Sequence, residues 1–200
     1  MKKKKSLHSG TADLRSKIIQ IALSCFTENG YIETGIGDIS KKSETSIGSL
    51  YHHFKSKEQL ARAVYIEGIK NYQTGFAEGL NRCLTAKDGI IHIVKYHLKW
   101  ISEYPDWSKF LLQYRQAGFM EDAEGEFKLI NDGFNISIGE WFKAQIKSGK
   151  IQKLPPDVYL SILMGPCQEY SRIYLFDKTI TDPEKAGDLI ASALCKAMLI

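Results

Sequence analysis

An all-helical protein is what this sequence predicts, on three observations. Apolar residues recur at three- and four-residue spacing along most of the 200 positions. Proline, glycine and capping residues punctuate those runs at helix-length intervals. No stretch sustains the apolar–polar alternation of a half-buried strand. With 44% apolar residues the chain has enough material for a core without disulfides or metals.

Taken in order, Leu14, Ile18, Ile21, Ala22, Cys25 and Phe26 share one helical face, predicting a helix over 12–29 with Thr11 as N-cap and Asn29-Gly30 as its stop. Thr34 caps a short second helix whose inward residues are Ile36 and Ile39. Ser46 caps a third, which turns Leu50 and Phe54 inward. Leu60, Val64, Tyr65 and Phe76 predict a long helix starting near Lys57, and Ile90, Val94, Leu98 and Ile101 another. Tyr104-Pro105 ends that run, because the residue before proline disfavours helix while proline suits a first turn. The next helix then passes Phe110, Leu111 and Tyr114 to about Gly118.

Phe127, Ile130, Phe134, Trp141, Phe142 and Ile146 mark a further helix closed by Ser148-Gly149. Beyond Pro155-Pro156 the segment 157–177 is too apolar to be covered on one side only, and Pro166 should kink it. Thr181-Asp182-Pro183-Glu184 has capping-box spacing and opens a last helix, 183–199, with Leu189, Ile190, Ala193, Leu194 and Met198.

Several function classes fall away. The four cysteines, Cys25, Cys83, Cys167 and Cys195, form no C-x-x-C pair, so neither a disulfide framework nor a zinc site is expected. Lys2–Lys5 could open a signal peptide, but no apolar segment follows, and no run is long enough to cross a membrane. A soluble cytoplasmic protein without membrane partners is the expectation. Nucleophile-elbow, phosphate-loop, dinucleotide and metalloprotease signatures are missing, and His92 and His97 fall on different faces of a helix. No enzyme and no cofactor are expected.

The charge is uneven. Residues 1–60 carry ten Lys and Arg against six Asp and Glu, whereas 61–200 carry seventeen of each. The whole excess lies in the first segment, as a polyanion-facing part requires, although four of those charges are Lys2–Lys5, which equally form a solubilising tail. In that segment residues 34–54 fit a helix-turn-helix, in which a bracing helix holds a second one in the major groove. Leu50 and Phe54 anchor the second helix; Gly48, Ser49 and His52 face outward or flank it. Tyr51, His52, His53 and Lys57 carry donors suited to phosphate oxygens. Ile47 has no hydrogen-bonding group, which fits a thymine methyl or a place in the core.

Gly30-Tyr31, Asp38-Ile39 and the ordered string from Ser46 through Gly48, Leu50-Tyr51-His52-His53-Phe54-Lys55-Ser56-Lys57-Glu58 to Leu60 resemble the DNA-binding domain of the TetR family. The resemblance runs from about residue 12 to residue 72, with the helix-turn-helix at about 35–54, and leaves 73–200 as a ligand-binding and dimerising body. It implies a nine-helix fold, a homodimer built on the last two helices, and an effector site in the body. It also implies an operator, expected to be palindromic, as partner. The protein would then be a repressor released by a small, fairly apolar effector; control by a protein partner, or binding to DNA without sequence preference, are the alternatives.

Carried residue by residue, the resemblance places Thr34 at the N-cap of the second helix with its hydroxyl at a phosphate. Ile47, Gly48 and Ser49 come against the bases, while Tyr51, His53 and Lys57 hold the backbone and His52 serves either role; Ser46, the cap, is a further DNA-binding candidate. Two positions depart from the pattern: Gly37 stands where many relatives carry a basic residue, and Glu44 where the turn usually has glycine, so a left-handed backbone there would be strained.

For the body, residues 90–146 are rich in large rings, Phe119 among them, which as a rule are core. Trp100, Tyr104, Trp107, Phe110, Gln113 and Tyr114 are candidate effector contacts, with Phe134, Trp141 and Tyr170. Leu160, Leu163, Cys167, Tyr170 and Tyr174 are candidate dimer residues on one helix, and Leu189, Ile190, Ala193, Leu194 and Ala197 on the other.

Overall fold

The computed structural model describes residues 4–115, 117–118, 124–177 and 179–200. Among these the chain forms nine α-helices: α1 (Lys4–Asn29), α2 (Ile36–Ser43), α3 (Ile47–His53), α4 (Lys57–Leu80), α5 (Ala86–Glu103), α6 (Pro105–Gln113), α7 (Glu124–Lys147), α8 (Pro156–Phe176) and α9 (Pro183–Met198). Outside them, Ile151 and Leu199 form an isolated antiparallel bridge. Lys2, Lys3 and Phe119, singled out in the sequence, lie outside the described residues. Among the described residues no helix is long and apolar enough to cross a membrane.

The chain divides into two compact units. The first comprises the described residues of Met1–Ile69 and Lys109–Glu124. Its core is the apolar stripe of α1 (Ile18, Ile19, Ala22, Cys25, Phe26) together with Ile39 of α2, Leu50 of α3, Phe54, and Leu60, Ala61 and Val64 of α4, all buried. Phe110 of α6 is fully buried and stacks on Phe26 with ring centroids 5.7 Å apart.

The second unit holds Lys70–Ser108 and the described residues of Gly125–Ile200. Its centre is α5, which packs on α8 and α9 through Ile90, Ile93, Val94, Leu98 and Ile101. A polar chain threads this core: the Tyr72 hydroxyl lies 2.9 Å from His97 Nδ1, His97 Nε2 lies 3.1 Å from Ser171 Oγ, and the Ser171 hydroxyl donates to Cys167 O at 2.7 Å. Each link stays hydrogen-bonded, as burial demands.

Several boundaries differ from the sequence expectation. Helix α1 starts at Lys4, so Thr11 lies inside it; the intervening residues are helix-compatible, and Gly10 weakens a helix without stopping it. The N-cap of α2 is Gly35, not Thr34. Asp182 rather than Thr181 caps α9, its carboxylate accepting the Lys185 amide at 2.9 Å. Helix α6 ends at Gln113, short of Gly118, where the Ala117 amide turns back to Tyr114 O. Helix α8 runs unbroken through Pro166. The Ser46 cap and the starts of α4 and α6 stand where the sequence put them.

Candidate nucleic-acid interface

Helix α3 is short, seven residues, and two contacts hold it. Ser46 accepts the Ser49 amide at 3.2 Å, satisfying a free donor of the first turn. Leu50 and Phe54, 2% and 3% exposed, sink into the unit core, and the Arg15 guanidinium lies 5.1 Å over the Phe54 ring. The opposite side is open: Ser46, Gly48 and His52 are exposed, Ser49 and His53 are half-buried. Ile47 and Tyr51 are 50% and 47% exposed. For isoleucine this excludes the core role. A Cβ added at Gly48 would meet nothing within 4 Å, so the first turn of α3 presents bare backbone to the outside.

The turn between α2 and α3 passes through Glu44, at φ 56° and ψ 33°, the non-glycine residue with positive φ among the described residues. This is the left-handed position at which the sequence predicted strain. Amides of Glu44 and Thr45 return to Lys41 O and Ser40 O at 3.3 and 3.1 Å, closing the helix in a Schellman arrangement. The Ser40 hydroxyl donates to Thr45 O at 2.6 Å. On the other side of α2, the Lys42 ammonium lies 2.8 Å from both Ser24 Oγ and Glu28 Oε2 of α1. The Glu28 carboxyl is held below its usual range, first by the hydrogen bond from Lys42 and then by that from Ser24.

Two expected phosphate ligands are engaged within the chain. Thr34 is 1% exposed, and its hydroxyl lies 2.7 Å from Gly30 O and 3.1 Å from Cys25 O, so it ties the loop to the end of α1. Gly35 takes over the cap, its amide donating to Asp38 Oδ2 at 2.9 Å. Lys57 also departs from its expected role. Its ammonium donates to Tyr31 O at 2.9 Å, Thr34 O at 3.0 Å and Ile32 O at 3.2 Å, and lies 4.5 Å over the Tyr31 ring. An ammonium has three N–H groups, and all are committed to this loop. The Tyr31 hydroxyl donates to Glu58 Oε1 at 3.3 Å; burial first, and the Glu58 carboxylate next, push it up to about 12.

Sequence reasoning overlooked Tyr31 as a partner of Lys57, because 26 residues separate them and no local period links the two. It also passed over Lys41 and Lys55, which are exposed on α2 and just beyond α3. Gly37 is exposed in the first turn of α2 with open space where a side chain would stand.

The candidate effector residues do not form one group. Phe110, Gln113 and Tyr114 belong to the first unit. There Phe110 packs on Phe26, Tyr114 accepts the Tyr31 amide, and Gln113 is exposed. Phe110 and Tyr114 thus make their contacts within the first unit, apart from the candidates in the second. In the second unit Trp100 is buried and donates to Asn71 Oδ1 at 2.8 Å, Trp107 is buried, and Tyr104 is exposed. Phe134 meets Phe76 edge-on at 5.3 Å, Trp141 donates to Cys83 O at 3.5 Å, and Tyr170 donates to Thr181 O at 2.6 Å. Of the candidate dimer residues, Leu163, Cys167 and Leu194 are core within the unit and leave no surface for a partner. Leu160 and Leu189 are 63% and 61% exposed. Ala193 and Ala197 are exposed as well, with Tyr170, Tyr174 and Ile190 half-buried.

Comparison with known proteins bears on both units. The family described as bacterial regulatory proteins, tetR family, matches residues 18–64. The HTH-type transcriptional regulator QacR of Staphylococcus aureus is 50% identical over 76 residues, 38% of this chain and 40% of that protein. That alignment covers well under half of the relative's length. Over the whole chain the likeness is one of fold: a TetR family transcription regulator from Marinobacter aquaeolei superposes with TM-score 0.79 at 16% identity, covering 97% of this chain and 98% of that one. FadR of Bacillus subtilis, solved in complex with stearoyl-CoA, superposes with TM-score 0.78 at 19% identity, over 90% and 97% of the two chains. Residues 18–64, which carry the helix-turn-helix, thus match the tetR family of bacterial regulatory proteins in sequence, and the chain is similar in fold to solved TetR family regulators.

Proposed function

We propose that this protein is a sequence-specific DNA-binding transcriptional regulator, a repressor released from its operator by a small, fairly apolar effector. The observation that carries the reading is the outer face of α3: a half-exposed Ile47, bare Gly48 backbone and the Ser49 hydroxyl, on a helix whose other face is anchored by Leu50 and Phe54. Such a face fits the major groove, where Ile47 suits a thymine methyl and Ser49 a base edge. Tyr51, His52 and His53 then reach phosphates, joined by the exposed Lys41 and Lys55. Ser46 and Gly37 lie at the same surface, while Thr34 and Lys57 act from behind it. DNA recognition resides in residues 12–72 and effector response in 73–200.

Two copies pair through the outer faces of α8 and α9, with Leu160, Leu189, Ala193 and Ala197 at the contact. Such a dimer sets two α3 helices roughly 34–36 Å apart, one DNA turn. An effector lodges among the rings of the second unit, Trp100, Tyr104, Trp107, Phe134, Trp141 and Tyr170. The polar tips of Trp100, Trp141 and Tyr170 are already hydrogen-bonded within the chain, so the rings offer a ligand mainly apolar contact. An effector that favours a differently spaced dimer lowers DNA affinity by linkage alone.

The test is footprinting on the DNA beside the protein's own gene, followed by competition with random duplex at matched salt. A protected palindrome that outcompetes random DNA supports the reading. Equal affinity for both would show a DNA binder without sequence preference, and no binding at low salt would end the DNA reading altogether.

A further inference from the structure

Within the first unit, a set of contacts converges on the loop that precedes α2. Tyr114, just past the end of α6, accepts the Tyr31 amide N–H on its hydroxyl oxygen at 3.0 Å. Its ring meets the Tyr31 ring edge-on, with centroids 6.1 Å apart. Phe110, one turn earlier, lies 4.8 Å from the Tyr114 ring and stacks on Phe26 of α1, so Tyr114 stands on a packed base. On the other side, the Lys57 ammonium collects the carbonyls of Tyr31, Ile32 and Thr34. Residues 31–34 thus have one amide and three carbonyls satisfied by side chains from elsewhere in the chain. The loop leads directly into Gly35, the N-cap of α2, and α2 packs on α3.

We propose that Tyr114 is a positioning residue for DNA reading, acting with Lys57 through Tyr31 to set where α2, and with it α3, stands. The proposal rests on the DNA-binding reading above. Its physical basis is the tolerance of the two kinds of contact. A base-edge hydrogen bond weakens steeply outside a narrow range of distance and angle, whereas attraction to phosphate is long-ranged and hardly notices a small tilt of the helix. Loosening the loop therefore lowers preference for the right sequence while leaving attraction to any sequence in place. A residue that served only to keep the unit folded would reduce the fraction of active protein and scale both affinities together.

The experiment uses the full-length chain and two probes: a duplex recovered by repeated selection from a random pool with the parent protein, and a random-sequence duplex. Tyr114→Phe keeps the ring and removes the hydroxyl. It is expected to raise Kd for the selected duplex about fivefold, the worth of one ordinary hydrogen bond, with Kd for the random duplex unchanged. In the free protein, amide exchange at Thr34, Asp38 and Ile39 should accelerate along with that at Tyr31. Lys57→Met is expected to reduce selectivity in the same direction and to leave the salt slope on random duplex unaltered. An unchanged selectivity ratio in Tyr114→Phe, or a salt slope reduced by about 1 on both duplexes in Lys57→Met, which is the mark of a lost phosphate contact, overturns the proposal. Should the parent select no preferred duplex, the DNA reading fails by itself. Exchange in the free protein then still decides the loop's dependence on Tyr114: acceleration confined to the Tyr31 amide overturns it, and acceleration spreading to Ile39 supports it.

Discussion

The Tyr72 hydroxyl donates to His97 Nδ1 across 2.9 Å, which leaves the imidazole proton on Nε2, pointed at Ser171 Oγ 3.1 Å away. The direction follows from the far end, since the Ser171 hydroxyl gives its own proton to Cys167 O and can only accept from His97. Helices α4, α5 and α8 are joined by this one neutral ring. Protonating it would take away the acceptor that the Tyr72 hydroxyl uses and place a charge in the buried core.

Stability should therefore fall in mild acid. Burial holds His97 down to about 4, against about 6.5 in an unfolded chain. Between those values the unfolded chain takes up a proton that the fold refuses. The stabilisation is full above about pH 6.5, drains as pH falls, and is gone near pH 4, with a total on the order of 3 kcal/mol. The neighbouring Tyr72, Tyr96 and Cys167 stay neutral throughout, since burial raises each of them. Urea unfolding at several pH values should show this slope in the parent and a flatter one in His97→Gln; equal slopes would assign the acid loss to other groups.

Gly89 of α5 lies against the Trp141 indole of α7, where an added Cβ would fall 2.0 Å from the ring. No rotamer of a methyl escapes that contact, so α5 and α7 would have to separate. Gly89→Ala should cost about 1–3 kcal/mol despite its better helix propensity. Differential scanning calorimetry should register a lower Tm; an unchanged value would mean that Trp141 moves aside freely.

At the α2–α3 turn the opposite effect is expected. Glu44 holds φ 56° and has no side-chain contact that requires glutamate there among the described residues. Glu44→Gly should stabilise the first unit by about 1 kcal/mol, since the left-handed penalty exceeds the added chain entropy of glycine. Guanidinium unfolding reads the gain, and a loss of stability would show that the Glu44 side chain contributes more than its backbone costs.

Gly37→Lys should restore a basic contact. The site is exposed and open, so a lysine fits without displacement and gains helix propensity. Affinity for DNA of any sequence should rise, with the salt slope steeper by about 1. A slope identical to the parent's would place α2 away from the phosphates.

Leu189→Glu tests the assembly. With Leu189 61% exposed on α9, a carboxylate there leaves the monomer fold intact but sets two charges together in the proposed pair. Sedimentation should show monomer where the parent sediments as dimer, and a dimer of parental strength would relocate the interface.

From sequence alone came the helical class, the starts of α4 and α6, the Ser46 cap and the outward set on α3, because each depends on spacing within one turn or on a short-range cap. Glu44 was legible for the same reason: a backbone requirement is attached to one position. What Lys57, Thr34, Phe110 and Tyr114 do was decided only by the tertiary structure, since each has a partner that lies 9 to 84 residues away. A side chain with several donors, or a ring with two faces, serves whichever neighbour the packed fold delivers. Local sequence specifies that such a group exists, and burial and close packing select the partner it meets.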